Sequence, residues 1–279
     1  MEKFEVHILG CGSALPTTRH FATSQVVNIR EKLFMIDCGE GAQMQLRKSK
    51  LKFTRLNHIF ISHLHGDHCF GLMGLISTFG MLGRTATLYI HCHAELERLL
   101  TPQLDFFCKG MSYKVVFQTF DPGKAEIIYD DRSLTIETIP LRHRIPTCGF
   151  LFSEKQIPAH IRRDMIDFYE IPVYELNRIK NGADYTLPDG KIVPNNKLTI
   201  PSALPRRYAY CSDTIYLPHI IEQIYGVDLL FHEATFAQSE QARAKETFHT
   251  TASVQNITGF TRVQAVFSAF RSAAVSYTH

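Results

Sequence analysis

Apolar and polar positions alternate in short blocks along the chain. The segment "FEVHILG" (4–10) alternates weakly and stops at Gly10, which predicts a strand. "SQVVNI" and "KLFMIDCG" predict two more strands, joined by a tight turn at Glu31 and Lys32. "EGAQMQLRKS" suits a helix, and "NHIFISH" a strand. "CFGLMGLISTFGML" is apolar all round and predicts a buried helix. "ATLYIHC" then reads as a strand and "AELERLLTPQLDFF" as a helix. "YKVVFQTF", "AEIIYD" and "LTIETIPL" form a β series. Residues 154–206 break this rhythm. They are rich in charge and carry "NGADYTLPDGKIVPNN", a turn-laden hairpin. "RRYAYCSDT", "YLPHIIEQIY" and "VDLLFHEATF" then give strand, helix and strand. Two β-rich halves interleaved with helices predict an α/β protein of two packed sheets with helices outside.

Composition changes this picture little. With 279 residues, 45% of them hydrophobic, the chain can bury one sizeable core or two smaller ones. No window nears 18 consecutive apolar residues, so no membrane span is expected. The opening "MEKFEVHILG" reads as a strand and not as a signal peptide. Seven scattered cysteines, an odd number, fit free thiols in a reducing cytoplasm better than a disulfide framework. A net charge of +3 permits a polyanionic partner without requiring one.

The fourteen histidines say more, because they cluster. "ISHLHGDHCFG" (61–71) places His63, His65, Asp67 and His68 in one short loop between apolar flanks. Zinc takes neutral imidazole nitrogen and carboxylate oxygen at about 2.0–2.2 Å. Donors packed into one loop meet at a point only if the backbone turns, and Gly66 allows a turn. The spacing can aim His63 and His65 at one metal and Asp67 and His68 at a neighbour. Further donors are expected at strand ends: His143 in "LRHRIP", Asp213 in "YCSDT", His232 and Glu233 in "LFHEAT", and His249 in "TFHTT". Asp213 suits a bridging role, having two oxygens for two cations. Two metals about 3.5–4 Å apart can clamp a phosphodiester.

"SHLHGDH" resembles the metal motif of the metallo-β-lactamase superfamily. "LGCGSALPT", "IDCGEGAQMQL", "PLRHRIPTCGF", "YCSDT", "HEATF" and "FHTT" stand in the order seen in its ribonuclease Z family, across roughly residues 4–251. The resemblance implies an αββα sandwich with two mixed sheets, and a homodimer acting on precursor tRNA with two Zn2+ ions. It implies that His63, His65, His143 and Asp213 hold one zinc. Asp67, His68 and the shared Asp213 would hold the other. Asp67 is then the proton acceptor, His249 the acid for the leaving oxygen, and Glu233 its orienting partner. The reaction implied is attack by metal-bound hydroxide 3′ of the discriminator base, leaving a tRNA 3′-hydroxyl and a 5′-phosphorylated trailer. One domain would span residues 1–279, with an inserted tRNA-binding arm at about 154–206. There Arg162, Arg163, Arg178 and Lys180 could meet phosphates.

The match breaks after about residue 252. The family closes its second zinc site with a C-terminal His, but the corresponding positions here hold Val266 or Arg271. His279 is the only His after His249. The expectation is one firm zinc, a second held by an incomplete set, and impaired cleavage. The alternatives are a non-catalytic RNA-binding relative, or a hydrolase of small esters on the same fold.

Overall fold

The computed structural model describes residues 3–12, 15 and 20–251, together with the backbone of 264–269. Arg271 and His279 lie outside the described residues. Two compact units are present. One comprises Asp131–Leu134 and Ser153–Arg206; the rest of the described chain forms the other.

The larger unit begins with β1 (Phe4–Gly10), β2 (Ser24–Ile29), β3 (Lys32–Ile36), α1 (Ala42–Lys48), β4 (Leu56–Phe60), α2 (Gly66–Cys69), α3 (Leu72–Met81), β5 (Leu88–Cys92), α4 (Ala94–Phe107) and β6 (Val115–Thr119). These six strands form one sheet in sequence order. β1, β2 and β3 pair antiparallel, and β3 to β6 pair parallel. Parallel strands covered on both faces need apolar side chains on both, which explains runs such as "KLFMI". Leu33 and Met35 face one way, into a core shared with Leu46 of α1, Leu75 and Phe79 of α3, and Leu96 of α4. Phe34 faces the other way and packs edge-on against Phe152, with ring centroids 6.0 Å apart.

Phe152 belongs to the second sheet, which continues the chain through β7 (Ile127–Asp130), β8 (Leu134–Arg142) and β9 (Pro146–Glu154). In the smaller unit lie β10 (His160–Ile161), α5 (Arg163–Phe168), α6 (Leu176–Lys180), β11 (Tyr185–Thr186), β12 (Ile192–Val193), α7 (Asn195–Leu198) and β13 (Thr199–Ile200). The chain then returns through β14 (Arg207–Cys211), α8 (Ile220–Ile224), β15 (Leu229–Ala234), α9 (Gln241–Thr247) and β16 (Gln264–Ala269). The second sheet runs in the order β16-β15-β14-β9-β8-β7. Phe60 against Phe150 and Tyr208 to Gln25 join the sheets face to face. Ile220 and Ile224 of α8 pack on the outer side of the second sheet with Ile139, Ala209 and Leu230. The result is an αββα sandwich.

The smaller unit has its own core of Ile171, Ile179, Tyr185, Val193 and Leu198. Its predicted hairpin pairs Tyr185 with Val193.

Three local expectations need correction. The β2–β3 turn falls at Arg30 and Glu31, both in the left-handed region at φ 52° and 65°. Two such residues in succession match the twist of a tight hairpin. α3 buries one face only: Leu72, Leu75, Ile76 and Phe79 are buried, while Met81 is 78% exposed. α8 covers Ile220–Ile224, half of the segment "YLPHIIEQIY".

Candidate metal centre and active site

The His-rich segment leaves the C-terminal end of β4 and enters α2, so its side chains cluster above the strand ends. Gly66 opens α2, and its φ lies outside the left-handed region. The turn therefore does not need glycine for its backbone. What Gly66 provides is space: a Cβ there would lie 2.4 Å from the Phe70 ring. Gly39 allows a second close approach, since a Cβ on it would lie 2.2 Å from the carbonyl oxygen of Asp67. The loop after β3 thus sits directly against the His-rich loop. Cys38 N–H donates to the His68 carbonyl at 2.8 Å.

His63, His65, His143 and Asp213 each direct one donor atom to a common point, all within 4.8 Å of one another. His63 Nε2 is 3.1 Å from His65 Nδ1, which is 3.2 Å from His143 Nε2. A tetrahedron with about 2.0–2.1 Å metal–nitrogen bonds has edges of about 3.3 Å, so the spacing suits zinc. The tautomers suit it too. His143 Nδ1–H donates to the Phe248 carbonyl at 2.9 Å, which leaves a lone pair on Nε2. Ser62 spends its hydroxyl proton on Asp37 at 2.9 Å, so His63 Nδ1–H donates to Ser62 Oγ at 3.0 Å. That again frees Nε2. Burial pushes the pKa values of His63, His65 and His143 down, favouring the neutral form that binds metal. These four groups could hold a metal ion.

Asp213 Oδ2 is the hub of the site. It lies 3.8 Å from His63 Nε2, 3.7 Å from His68 Nε2, and 4.0 Å from both His143 Nε2 and His249 Nε2. Burial works against its charge. The imidazoles of His68, His63 and His249 outweigh that and hold its carboxyl well below the usual range. Asp67 Oδ2 stands 3.7 Å from His68 Nε2. His68 Nε2 thus stands 3.7 Å from a carboxylate oxygen of both Asp67 and Asp213.

Two residues behind these donors carry no signal of their own in the sequence. Asp37, fully buried after β3, receives His68 Nδ1–H at 2.8 Å, Tyr210 O–H at 2.7 Å and Ser62 N–H at 2.8 Å. Tyr210, on β14, is equally buried. The fragment "IDCGEG" was the available pointer to Asp37, but nothing in its spacing connects it to His68.

Glu233 and His249 form a dyad beside the hub. His249 Nδ1–H donates to Glu233 Oε1 at 3.2 Å. Glu233 also accepts from the Thr250, Thr214 and Thr235 amides and the Thr235 hydroxyl, at 2.8–3.2 Å. Burial disfavours the His249 imidazolium, but Glu233 and then Asp213 raise its pKa above the ordinary value. His232 does not join the site. It is buried, and its Nδ1–H donates to the Glu233 carbonyl at 2.7 Å.

His65, Asp67, His68, His143, Asp213, Glu233 and His249 all line one cleft of about 970 Å³, with Phe21, Phe70 and Arg144 on its walls. In the smaller unit Arg163, Arg178 and Lys180 are exposed. Arg162 pairs with Asp164, and Arg178 with Glu175, each at 2.8 Å. All seven cysteines are free thiols. No helix among the described residues is long and apolar enough to cross a membrane.

The sandwich, with its donors above the strand ends, is the metallo-β-lactamase fold. The chain resembles the metallo-beta-lactamase fold protein YhfI from Bacillus subtilis, with TM-score 0.56 and 17% identity over 88% of this chain and 76% of that one. It also resembles human tRNase Z, short form, with TM-score 0.68 and 23% identity over 94% and 90%. Residues 4–158, more than half the chain, match the family model described as Anti-Pycsar protein Apyc1, and over that half the chain falls within the group it describes. A curated ribonuclease Z of Bacteroides fragilis is 74% identical over 252 residues, which cover 90% of this chain and 83% of that protein. The chain belongs to the ribonuclease Z family, endoribonucleases that act on tRNA precursors.

Proposed function

We propose that this chain is a zinc-dependent endoribonuclease that cleaves tRNA precursors 3′ of the discriminator base, leaving a 3′-hydroxyl on the tRNA and a 5′-phosphate on the trailer. The observation that carries this reading is the convergence of three imidazole nitrogens on Asp213, with the Glu233–His249 dyad beside it.

His63, His65, His143 and Asp213 hold one cation in this reading, and Asp67, His68 and Asp213 hold the second. Bound there, the cations supply Lewis acidity, stabilising phosphoryl charge and lowering the pKa of water to roughly 7. Asp67 accepts the proton of the attacking water. His249, kept protonated by Glu233, gives its proton to the departing 3′-oxygen. The threonine donors hold Glu233, so the imidazole is already oriented before substrate arrives.

The second group offers three donors among the described residues, and neither Val266 nor Arg271 could add a fourth. The second cation is therefore held more weakly, and cleavage is slower than a full ligand set would support. The 154–206 insertion serves as the arm that meets tRNA phosphates through Arg162, Arg163, Arg178 and Lys180. The surface ion pairs of Arg162 and Arg178 are weak and exchange readily for phosphate. The enzyme works as a homodimer, as the family resemblance implies, in the cytoplasm, where its seven free thiols would stay reduced.

The test is a cleavage assay on purified, zinc-loaded protein with a tRNA precursor, mapping both new ends. Cleavage one nucleotide away, or a 2′,3′-cyclic phosphate, would contradict the proposed chemistry. Binding without any turnover would favour a non-catalytic RNA-binding protein.

A further inference from the structure

Five aromatic rings of Phe and Tyr line the cleft: Phe21, Phe70, Tyr210, Phe231 and Phe236. Four are already engaged. Tyr210, Phe231 and Phe236 are buried. Phe21 carries the Lys48 ammonium over its face, 5.5 Å from the ring centroid. Phe70 alone is open: it is 75% exposed, and no ring or cation pairs with it among the described residues. An exposed phenylalanine three residues from Asp67 has no role in the packing of the core. Its ring lies against Gly66, in the space that a side chain on that residue would take.

We infer that Phe70 is a substrate-positioning residue whose ring stacks on an unpaired base next to the scissile phosphate, either the discriminator or the first trailer nucleotide. This inference rests on the proposed cleavage of tRNA precursors in this cleft. Protein recognition of RNA ends relies on unstacked bases laid against aromatic side chains. Any base offers a π face, so a single stack positions the chain without demanding a sequence, as precursors with varied trailers require. Phe70 caps the C-terminal end of α2, one turn from Asp67, which places the stacked nucleotide beside the reacting centre.

The experiment uses tRNA precursors with 2-aminopurine at the discriminator or at the first trailer position, bound to the full chain and to Phe70→Ala, Phe70→Leu and Phe70→Trp. Quenching of one of the two probes by the unaltered chain, lost in the Ala and Leu variants and kept in the Trp variant, is expected. Leu keeps the apolar bulk against Gly66 but offers no stacking face. In cleavage, Ala and Leu should lower kcat/KM about 5- to 100-fold, the range of one base–aromatic stack. The same variants should differ less than about twofold from the unaltered chain on a precursor made abasic at the quenched position. No quenching at either position, equal quenching in all variants, or an equal loss on intact and abasic precursors would overturn the inference. Quenching by a chain that does not cleave would sustain the stack and sink the catalytic reading.

Discussion

Asp37 Oδ2 accepts a hydrogen bond from His68 Nδ1 at 2.8 Å, although the two residues lie 31 positions apart. The carboxylate is fully buried, and Tyr210 and Ser62 fill its remaining acceptor sites. It fixes the His68 tautomer, so that Nε2 faces Asp67 and Asp213. A carboxylate behind a metal-binding imidazole both orients the ring and raises its basicity. Asp37→Asn keeps the shape, and Asn tolerates the φ of 55° found there. It should weaken zinc binding about 10- to 100-fold, measured by competition with a chelator of known affinity. Unchanged zinc affinity would show that the Asp37 contact is structural only.

His249→Ala should lower kcat by about 10²–10⁴ with a much smaller change in KM, as expected for a proton donor that acts in the transition state. Glu233→Gln should cost less in rate, since His249 remains present but is held less firmly. Steady-state kinetics on a precursor would check both. A purely KM effect in either variant would count against the acid role.

Metal removal should separate the two groups of donors. Dialysis against a chelator should abolish cleavage and lower the melting temperature, because an ion bound only by the folded state adds to stability. After gentle dialysis, elemental analysis should find one firmly held zinc and a second that is partly lost. Asp67→Asn should keep the first and lose the second, whereas His65→Ala should lose the first. Two equally tenacious zincs per chain would mean that a further donor completes the second group.

A pH effect on stability is expected at a buried histidine outside the donor set. His91 is buried on β5, with its ring 4.2 Å from that of Phe60 and its Nε2 3.1 Å from His58 Nδ1. Burial, and then the neighbouring His58, push its pKa down to about 3. The folded state therefore keeps His91 neutral where the unfolded chain would bind a proton. Its contribution is fully present above about pH 6.5 and is lost as pH falls from there towards 3. At about 1.4 kcal/mol per pKa unit the loss reaches a few kcal/mol. His91→Phe should flatten the acid limb of a plot of urea midpoint against pH. An unchanged limb would assign acid sensitivity to other groups.

The legible parts of the molecule were those whose signal is local. His63, His65, Asp67 and His68 stand within six residues, so their chemistry is visible before any folding. The strand "KLFMI" announces itself because both its faces are buried. α3 misleads for a physical reason: its composition is apolar throughout, but only one face meets the sheet, and Met81 is left outside. The Arg30–Glu31 turn carries no glycine or asparagine to mark it. Asp37 looks like an ordinary strand-end carboxylate, and only the fold brings it under His68. Phe70 reads as one more residue of the apolar stretch after the His-rich loop until its exposure is known.

The bonds beneath the metal donors are also bonds between the two sheets. Tyr210, on the second sheet, donates to Asp37 at the end of the first, and Ser62 and Ser212 meet across the same boundary with oxygens 2.9 Å apart. The seam of the sandwich and the floor of the cleft are therefore a single structure. The sheets cannot slide or part without disordering the donors above them. Loss of activity on heating should consequently track global melting closely, with no temperature window in which the protein stays folded but has lost its active site.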